Sequence, residues 1–186
     1  MIEPLDLAGL FVVRGTRHVD ARGAFTEAWR ASELAAAGFD RPFVQENLVL
    51  TRAAGVLRGL HFQREPFAQD KLVQAAAGRI FDVAVDLRPG SPTLGRWAGV
   101  TLDASEPRQL LVPRGFAHGY LTLVAGCAVS YKVSAYHAPQ AEAGLRWDDP
   151  ALGIEWPLAA GQVSTNERDA AWPPLAQVIG QLRAPG

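Results

Sequence analysis

Residues 71–87 read KLVQAAAGRIFDVAVDL, and this segment gives the strongest indication of fold class. It contains two largely apolar runs, KLVQAAA and RIFDVAVDL, which meet at the breaker AGR. Parallel strands need a crossover of a dozen or more residues, usually a helix, and there is no room for one here. The segment therefore predicts two consecutive antiparallel strands and argues against a parallel α/β fold.

The same pattern, short apolar runs separated by breakers, continues on both sides of this segment. A helix is expected over residues 30–37, where an alanine-rich stretch follows Ser32-Glu33-Leu34 and stops before Gly38, and a short C-terminal helix over residues 176–182. About ten strands with so few helices predict an all-β protein, an antiparallel jelly-roll barrel with a few short peripheral helices. The other strand-like runs are FVVRG (11–15), FVQENLVL (43–50), VLRGLHF (56–62), WAGVTL (97–102), RQLLV (108–112), YLTLV (120–124) and AVSYKVSAY (128–136).

Length and composition narrow the function. With 186 residues and 48% hydrophobic content, the chain predicts a single domain over 1–186. A formal net charge of -1 makes nucleic acid an unexpected partner. The only cysteine is Cys127, the N-terminus lacks a basic, apolar leader, and no apolar run approaches the roughly 20 residues of a membrane span. A cytoplasmic protein without membrane contact is expected.

Two motifs resemble the halves of the cupin signature: GVLRGLHFQ at Gly55–Gln63 and PRGFAH at Pro113–His118. Metal-binding cupins place a second histidine where Gln63 stands, and glutamine is a poor transition-metal ligand beside imidazole. With only His61 and His118 as candidate imidazoles, no metal site is expected. A metal-dependent cupin enzyme stays as the alternative, and it predicts stoichiometric metal in the purified protein.

The surroundings of His61 favour chemistry over a structural role. A lone strand histidine is ordinarily half-buried and bonded to a backbone carbonyl, but many polar side chains crowd this span. They are Arg58, His61, Gln63, Gln69, Asp70 and Lys71. Inward-facing polar groups are typical of a ligand cavity inside a barrel. Of the 18 basic residues only Lys71 and Lys132 are lysine, and a compact amine suits a developing oxyanion, although two chance lysines remain an alternative.

With these residues assembled, the chain closely resembles the dTDP-4-dehydrorhamnose 3,5-epimerases and related dTDP-4-keto-6-deoxyhexose epimerases. The resemblance runs from about Val19 to Leu175 and keeps the order of its blocks. Such an ordered series is far more specific than the cupin signature. The blocks are VDARGAFTEAW (19–29), QEN (45–47), GVLRGLHFQ (55–63), QDKLV (69–73), FDVAVDLRPGSPTLGRW (81–97), VPRGFAHGY (112–120), YKVSAY (131–136), WDDPALGIEWP (147–157) and ERDAAWPPL (167–175).

The resemblance implies a cofactor-independent reaction at carbons next to the C4 ketone of a sugar nucleotide. His61 matches the base, and Asp169 matches the acid that orients it and stabilises its imidazolium. Tyr131 matches the acid that protonates the opposite face, and Lys71 matches the group that stabilises the C4 oxyanion. Outside this family, Asp169 would be interpreted as a helix or turn cap and Tyr131 as a half-buried strand tyrosine.

The resemblance also implies a substrate site and a partner. Arg58 and His118 are expected to donate to the diphosphate and Tyr136 to stack on the base. In the family, residues at three of the positions come from the neighbouring subunit, which implies a homodimer with shared active sites; here these are Arg22, Phe25 and Glu27. The substrate-binding positions are Arg22, Phe25, Glu27, Gln45, Asn47, Arg58, His118, Tyr136 and Glu142.

One conflict yields a structural prediction. Arg58 and His61 are three positions apart, so regular strand alternation places them on opposite faces, although both are expected to reach one substrate. A bulge or bend at Gly59 would resolve this. Two departures from the family pattern, Asn166 and His137, leave recognition of the nucleotide open. The alternatives are an epimerase acting at C3 or C5 only, and a non-catalytic sugar-nucleotide-binding cupin.

Overall fold

Two antiparallel sheets face each other in the computed structural model, which describes residues 1–39 and 41–183. Residue 40 and residues 184–186 of the expected domain lie outside the described part. The strands are β1 (Ile2–Pro4), β2 (Phe11–Arg14), β3 (Thr16–Asp20), β4 (Gly23–Glu27), β5 (Gln45–Thr51), β6 (Leu57–Gln63), β7 (Lys71–Ala77), β8 (Arg79–Asp86), β9 (Trp97–Asp103), β10 (Arg108–Val112), β11 (Phe116–Thr122), β12 (Cys127–Val133) and β13 (Glu142–Gly144).

The strand order is that of a jelly roll, which confirms the predicted fold class. One sheet has six strands in the order β1-β2-β10-β7-β12-β5, and the other has five in the order β13-β6-β11-β8-β9. The segment 71–87 contributes one strand to each sheet, because β7 pairs with β10 and β12 while β8 pairs with β9 and β11. Each named pairing is antiparallel, whereas β7 and β8, which are joined at Gly78, lie in different sheets and do not pair with each other.

The main core lies between the sheets, and the outer face of the five-stranded sheet is covered as well. Side chains such as Val73 and Ile80 fill the space between the sheets. Leu60 and Val83 point to the other side, where they pack against Leu175 and neighbouring apolar residues. Because both faces of β8 are buried, its sequence is a nearly continuous apolar run instead of an alternating one.

The helices are short and peripheral, as expected. They are α1 (Ala31–Ala36), α2 (Glu167–Ala170) and α3 (Leu175–Arg183), with two 3-10 turns at Pro139–Ala141 and Ala160–Gln162. The first and last agree with the predicted helices to within a residue at each end. Leu34 of α1 packs on the outer face of the six-stranded sheet beside Leu72 and Leu111. None of the described helices has the length and apolar character needed to cross a membrane.

The β3–β4 hairpin differs from the rest of the fold because its strands pair only with each other. Val19 and Phe25 on this hairpin are 75% and 69% exposed. Its sequence lacks the alternation that a half-buried strand shows, since neither face packs on a core within this chain. The hairpin is therefore not recognisable from sequence as a pair of strands.

Candidate active site

A cavity of about 420 Å³ opens between the two sheets. Nine of the thirteen predicted site residues line it, which brings together side chains from seven elements. These nine are Gln45, Asn47, Arg58, His61, Lys71, His118, Tyr131, Glu142 and Asp169.

An irregularity in β6 places Arg58 and His61 on the same cavity. His118 of β11 lies opposite His61, whereas Tyr120, only two residues further, lies opposite Arg58. One extra residue of β6 is therefore accommodated at Gly59, whose φ is +132°. A Cβ at Gly59 would lie 2.6 Å from the Gly119 Cα, so the close approach of the two strands also requires glycine. The predicted bulge is confirmed.

His61 and Asp169 form a hydrogen-bonded pair at the wall of the cavity. The distance from His61 Nε2 to Asp169 Oδ1 is 2.8 Å, and the backbone N–H of Gly59 donates to Asp169 Oδ2 at 3.0 Å. The Asp169 side chain is 2% exposed and that of His61 is 24% exposed. Burial alone would raise the pKa of Asp169, but the hydrogen bonds from His61 and Gly59 outweigh it and lower that pKa.

Helix α2 carries Asp169 and positions its carboxylate. Asn166 is its N-cap, and its side-chain Oδ1 accepts a hydrogen bond from the Asp169 backbone N–H at 2.7 Å. Asn166 thus supplies the acceptor that a serine would supply at this position. Within the described residues, the His61 ring makes no hydrogen bond other than the one to Asp169, so Nδ1 is the ring nitrogen left for a substrate.

An ion pair and an aromatic ring frame His61 at the rim. Arg168 Nη1 lies 3.1 Å from Glu142 Oε2, and Arg168 Nε lies 3.4 Å from Asp169 Oδ1. The Trp172 ring packs edge-on to His61 at a centroid distance of 6.1 Å. A side chain at Gly144 would occupy the space of that ring, so β13 passes closely beneath it. The rim therefore restricts how the His61 ring can turn.

Tyr131 and Lys71 lie on the opposite sheet. Burial raises the pKa of the Tyr131 phenol above its usual value, against the lowering effect of the Arg58 guanidinium. Burial lowers the pKa of Lys71 to about 8, against the opposing effect of Asp82 and Glu142. The Lys71 ammonium has a long contact of 3.4 Å to the His61 carbonyl oxygen. It is thus a weakly bonded cation that a substrate oxygen could engage.

A second histidine–aspartate pair lies at the inner wall. His118 Nε2 is 2.7 Å from Asp82 Oδ1, and both side chains are almost fully buried. The other carboxylate oxygen of Asp82 is buried and has no hydrogen-bond partner among the residues described. His118 therefore faces the inner end of the cavity.

Gln63 is held by the backbone. Its Nε2 donates to the Phe67 carbonyl at 2.6 Å and to the Tyr136 carbonyl at 3.2 Å, and its Oε1 accepts from the Ala138 N–H at 2.8 Å. The side chain ties the loop after β12 to the end of β6. Within residues 1–39 and 41–183, no three side chains of His, Cys, Asp or Glu are grouped so as to hold a metal ion.

The four remaining predicted residues do not line the cavity of their own chain. Arg22, Phe25 and Glu27 lie on the exposed β3–β4 hairpin and its end, where Arg22 pairs with Asp20 at 2.6 Å. Tyr136 follows β12 and is 69% exposed. These positions can serve substrate binding only where a second chain or a bound nucleotide reaches them.

The structure also reveals cavity-lining residues that the sequence analysis did not select. Arg168 is adjacent to Asp169 in the ERD block, and this adjacency is a signal that could have identified it. Tyr120 lies two residues after His118 on β11 and so shares its face, which alternation could also have indicated. The full additional set is Val49, Phe62, Gln63, Gln69, Tyr120, His137, Asn166 and Arg168.

Comparison with known proteins gives consistent matches over most of the chain. The family model described as dTDP-4-dehydrorhamnose 3,5-epimerase matches residues 4–177. The dTDP-4-dehydrorhamnose 3,5-epimerase of Sinorhizobium fredii is 44% identical over 176 residues, which cover 95% of this chain and 90% of the relative.

Solved structures agree. The 3,5-epimerase of Legionella pneumophila, in complex with dTDP-4-keto-L-rhamnose, has a TM-score of 0.92 and 39% identity, covering 98% of this chain and 96% of the other. ChmJ of Streptomyces bikiniensis, a 3'-monoepimerase in complex with dTDP-quinovose, has a TM-score of 0.87 and 33% identity, covering 97% and 90%. The second likeness shows that enzymes acting at one carbon share this fold.

Proposed function

Because the chain belongs to the dTDP-4-dehydrorhamnose 3,5-epimerase family, we propose that it inverts C3 and C5 of a dTDP-4-keto-6-deoxyhexose. It is an isomerase, and the reaction that we assign converts dTDP-4-dehydro-6-deoxyglucose to dTDP-4-dehydrorhamnose without a cofactor. The observation that carries the assignment is the common cavity. It is lined by a histidine with a buried carboxylate partner, a phenol on the opposite sheet and a buried amine.

The first step is proton removal. His61 Nδ1 takes the proton from C5, and the electron pair of the C–H bond moves into the C4 carbonyl to give an enolate. Asp169 accepts from Nε2–H and stabilises the imidazolium that forms. Lys71 places its ammonium at the C4 oxygen, where the burial of the amine strengthens the attraction.

The second step is protonation of the other face. Tyr131 gives its phenolic proton to C5 as the enolate collapses to the ketone, so one C–H bond is broken and one is formed. The raised pKa of Tyr131 keeps the phenol protonated at neutral pH. Exchange with solvent resets the imidazolium and the phenolate, and the same groups then act at C3, which is also adjacent to the ketone.

Different parts of the cavity are assigned to different parts of the substrate. We assign the inner wall, with His118 opposite His61, to the sugar and the adjacent phosphate. Gln45 and Asn47 share a hydrogen bond of 2.8 Å on β5, and with Arg58 and Glu142 they line the approach. Tyr136 is exposed beyond the cavity, a position compatible with stacking on the base.

We assign a homodimer with shared active sites. The hairpin residues Arg22, Phe25 and Glu27 lie outside their own cavity, and the outer face of β5 exposes Leu48 and Leu50 at 64% and 71%. Apolar side chains exposed at this level, on β5 and on the β3–β4 hairpin, are typical of surfaces that another protein covers. We also assign one epimerase domain and a cytoplasmic location, which the buried, reduced Cys127 suits.

A deuterium-exchange experiment tests the reaction. The wild-type protein is incubated in D₂O with dTDP-4-keto-6-deoxyglucose, and proton NMR follows the C3 and C5 signals. We expect both signals to be lost and inverted products to accumulate. Exchange at one carbon only would identify a monoepimerase, and exchange at neither carbon would contradict the enzyme assignment and favour a binding protein.

A complementation experiment tests the shared site. His61→Asn and Arg22→Ala chains are each expected to be weakly active alone, because one lacks the base and the other lacks the partner's arginine. Unfolded together in equal amounts and refolded, they should recover about a quarter of the wild-type sites, since half of the dimers are mixed and each mixed dimer has one intact site. No recovery, or a monomer in light scattering, would contradict the shared site.

A further inference from the structure

Besides Asp82 Oδ2, three buried polar atoms near the cavity have no hydrogen bond of normal geometry within residues 1–39 and 41–183. They are Tyr120 Oη, Arg58 Nε and Thr51 Oγ1. Tyr120 and Arg58 line the cavity. Tyr120 as a whole is 4% exposed and Thr51 is 6% exposed. Because buried polar atoms are almost always paired, these three side chains are candidates for a role beyond packing.

The three side chains come from neighbouring positions of the fold. Tyr120 lies directly opposite Arg58 across the β6–β11 ladder, one step beyond the bulge at Gly59. Thr51 ends β5, which forms the edge of the facing sheet. Burial raises the pKa of Tyr120 far above its usual range, and the Arg58 guanidinium and the Thr51 hydroxyl act against that shift. The Tyr120 and Thr51 hydroxyls are therefore near each other without forming a hydrogen bond of normal geometry. On β8, Asp82 is the other charged group that faces Tyr120.

The chemistry of the three groups is complementary. An arginine Nε–H can only donate, whereas tyrosine and threonine hydroxyls both donate and accept. A single chain from Arg58 Nε–H to Tyr120 Oη, and from Tyr120 O–H to Thr51 Oγ1, would therefore use all three atoms. The hydrogen bonds of such a chain strengthen one another, and the chain would hold the Arg58 guanidinium against one wall of the cavity.

We propose that Tyr120 is a positioning residue, which holds Arg58 beside the proton donor Tyr131 through a hydrogen-bond chain that closes when substrate is bound. This inference rests on the proposed epimerase function. When Tyr131 has given up its proton, its phenolate needs a nearby cation. Arg58 lines the same cavity and faces both tyrosines. The Tyr120 hydroxyl itself is too buried to contact the substrate.

Solvent exchange and inversion should respond differently to the loss of the Tyr120 hydroxyl. Removal of the substrate proton depends on His61 and Lys71, whereas inversion also depends on Tyr131. Loss of the Tyr120 hydroxyl should therefore leave solvent exchange nearly intact and slow inversion about tenfold, the effect of one lost hydrogen bond. The ratio of inversion to exchange cancels the contribution of Lys71, which both rates share.

The test uses Tyr120→Phe, which keeps the ring and removes only the hydroxyl. We expect a Tm within about 2 °C of wild type or higher, because an unpaired buried hydroxyl contributes nothing to stability. The inversion-to-exchange ratio should fall, and its decline at high pH should move to higher pH. The sign follows because Arg58 lowers the pKa of Tyr131 while Glu142 raises it, so a displaced Arg58 leaves the phenol protonated to higher pH.

Thr51 provides a second, matched test. Thr51→Val removes the end of the chain and should lower the inversion-to-exchange ratio in the same direction by a smaller factor, whereas Thr51→Ser keeps the hydroxyl and should restore the wild-type ratio. An unchanged ratio and pH profile in Tyr120→Phe would overturn the proposal, as would a marked loss of Tm in that variant. Absence of exchange in the wild type would instead contradict the epimerase function, so the two failures are distinguishable.

Discussion

Two histidine–aspartate pairs lie side by side on neighbouring strands, with nearly equal N···O distances of 2.8 Å for His61–Asp169 and 2.7 Å for His118–Asp82. His61 and His118 are even direct partners across the β6–β11 ladder. Their surroundings differ. The Asp169 carboxylate is bonded through both oxygens, and its histidine opens on the cavity. In the other pair the histidine is 7% exposed, and one oxygen of Asp82 is unpaired.

The difference shows what makes a histidine suited to proton removal. A general base needs a free nitrogen within reach of the substrate and a partner that is already satisfied when the imidazolium forms. His61 meets both conditions. His118 has a carboxylate partner whose second oxygen is buried and unpaired within the described residues, and it is better placed to hold the substrate than to remove a proton. Distance alone would not distinguish the two pairs.

The largest expected effect comes from replacing His61, the histidine that opens on the cavity. His61→Asn should lower deuterium exchange at C3 and C5 by about 10³- to 10⁴-fold, because the base is lost. His118→Asn, the matched change in the other pair, should leave exchange readily measurable. Calorimetry with dTDP checks that both variants still bind nucleotide. Equal losses in the two variants would remove the distinction between the pairs.

Lys71 contacts the His61 carbonyl and is influenced by the charge of Asp82, and its replacement should have the next largest effect. Lys71→Met should slow turnover by about 10²- to 10³-fold, since one oxyanion donor is lost. Because burial lowers the pKa of Lys71 to about 8, the wild-type rate should fall as pH rises through 8 and the ammonium is lost. Steady-state rates of the wild type between pH 6 and 10 measure this decline, and a rate that is flat through pH 9 would contradict it.

Lys71→Met should also increase the stability of the fold. A buried ammonium with a depressed pKa binds its proton less tightly in the folded state, so it destabilises the fold at pH 7 and this cost disappears as pH rises from 8 towards 10.4. Lys71→Met should therefore raise the unfolding free energy at pH 7 by about 1–3 kcal/mol. Urea unfolding at pH 7 and pH 9.5 should show the advantage shrinking at the higher pH.

Asp169→Asn tests the carboxylate that is hydrogen-bonded through both of its oxygens. Deuterium exchange should fall by about 10²-fold, because the imidazolium loses its counter-charge. It should also lower stability at pH 7. Since the folded-state pKa of Asp169 is lowered, its contribution is present above about pH 4 and is lost as pH falls below that value. Thermal unfolding of the two proteins should converge at acid pH, and a constant difference would refute the ionic role.

Asp82→Asn should have the smallest effect, about tenfold or less on turnover, because the carboxylate is hydrogen-bonded to His118, a binding residue, and affects Lys71 only through its charge. The charge of Asp82 opposes the lowering of the Lys71 pKa, so its removal should move the high-pH decline of the rate to lower pH. Comparison of this pH profile with that of the wild type is the measurement. A larger loss in Asp82→Asn than in Asp169→Asn would reverse our assignment of the two pairs.

Sequence patterns predicted the elements of the barrel more fully than those around it. The nine predicted strand runs all overlap strands of the two sheets, because each strand has a buried or half-buried face that shapes its sequence. The β3–β4 hairpin was not identified because neither of its faces is buried within this chain. Helix α2 spans only four residues, too few for helical periodicity to be visible. Its capping residue, Asn166, was noted only as a departure from the family pattern.

The sequence by itself determined the antiparallel class, through short apolar runs separated by tight breakers, and the family, through the order of its motifs. It also supplied the chemical types expected of an epimerase at His61, Tyr131, Lys71 and Asp169. These features depend on local periodicity and residue identity, which are visible along the chain.

Only the tertiary structure decided which carboxylate serves which histidine, because the partners are 108 residues apart in one pair and 36 in the other. It also decided that Arg58 and His61 share a cavity, and that Tyr120 lies unpaired behind them. Such facts depend on the register between strands, and one extra residue at Gly59 changes which side chains meet. Local patterns carry no record of that register.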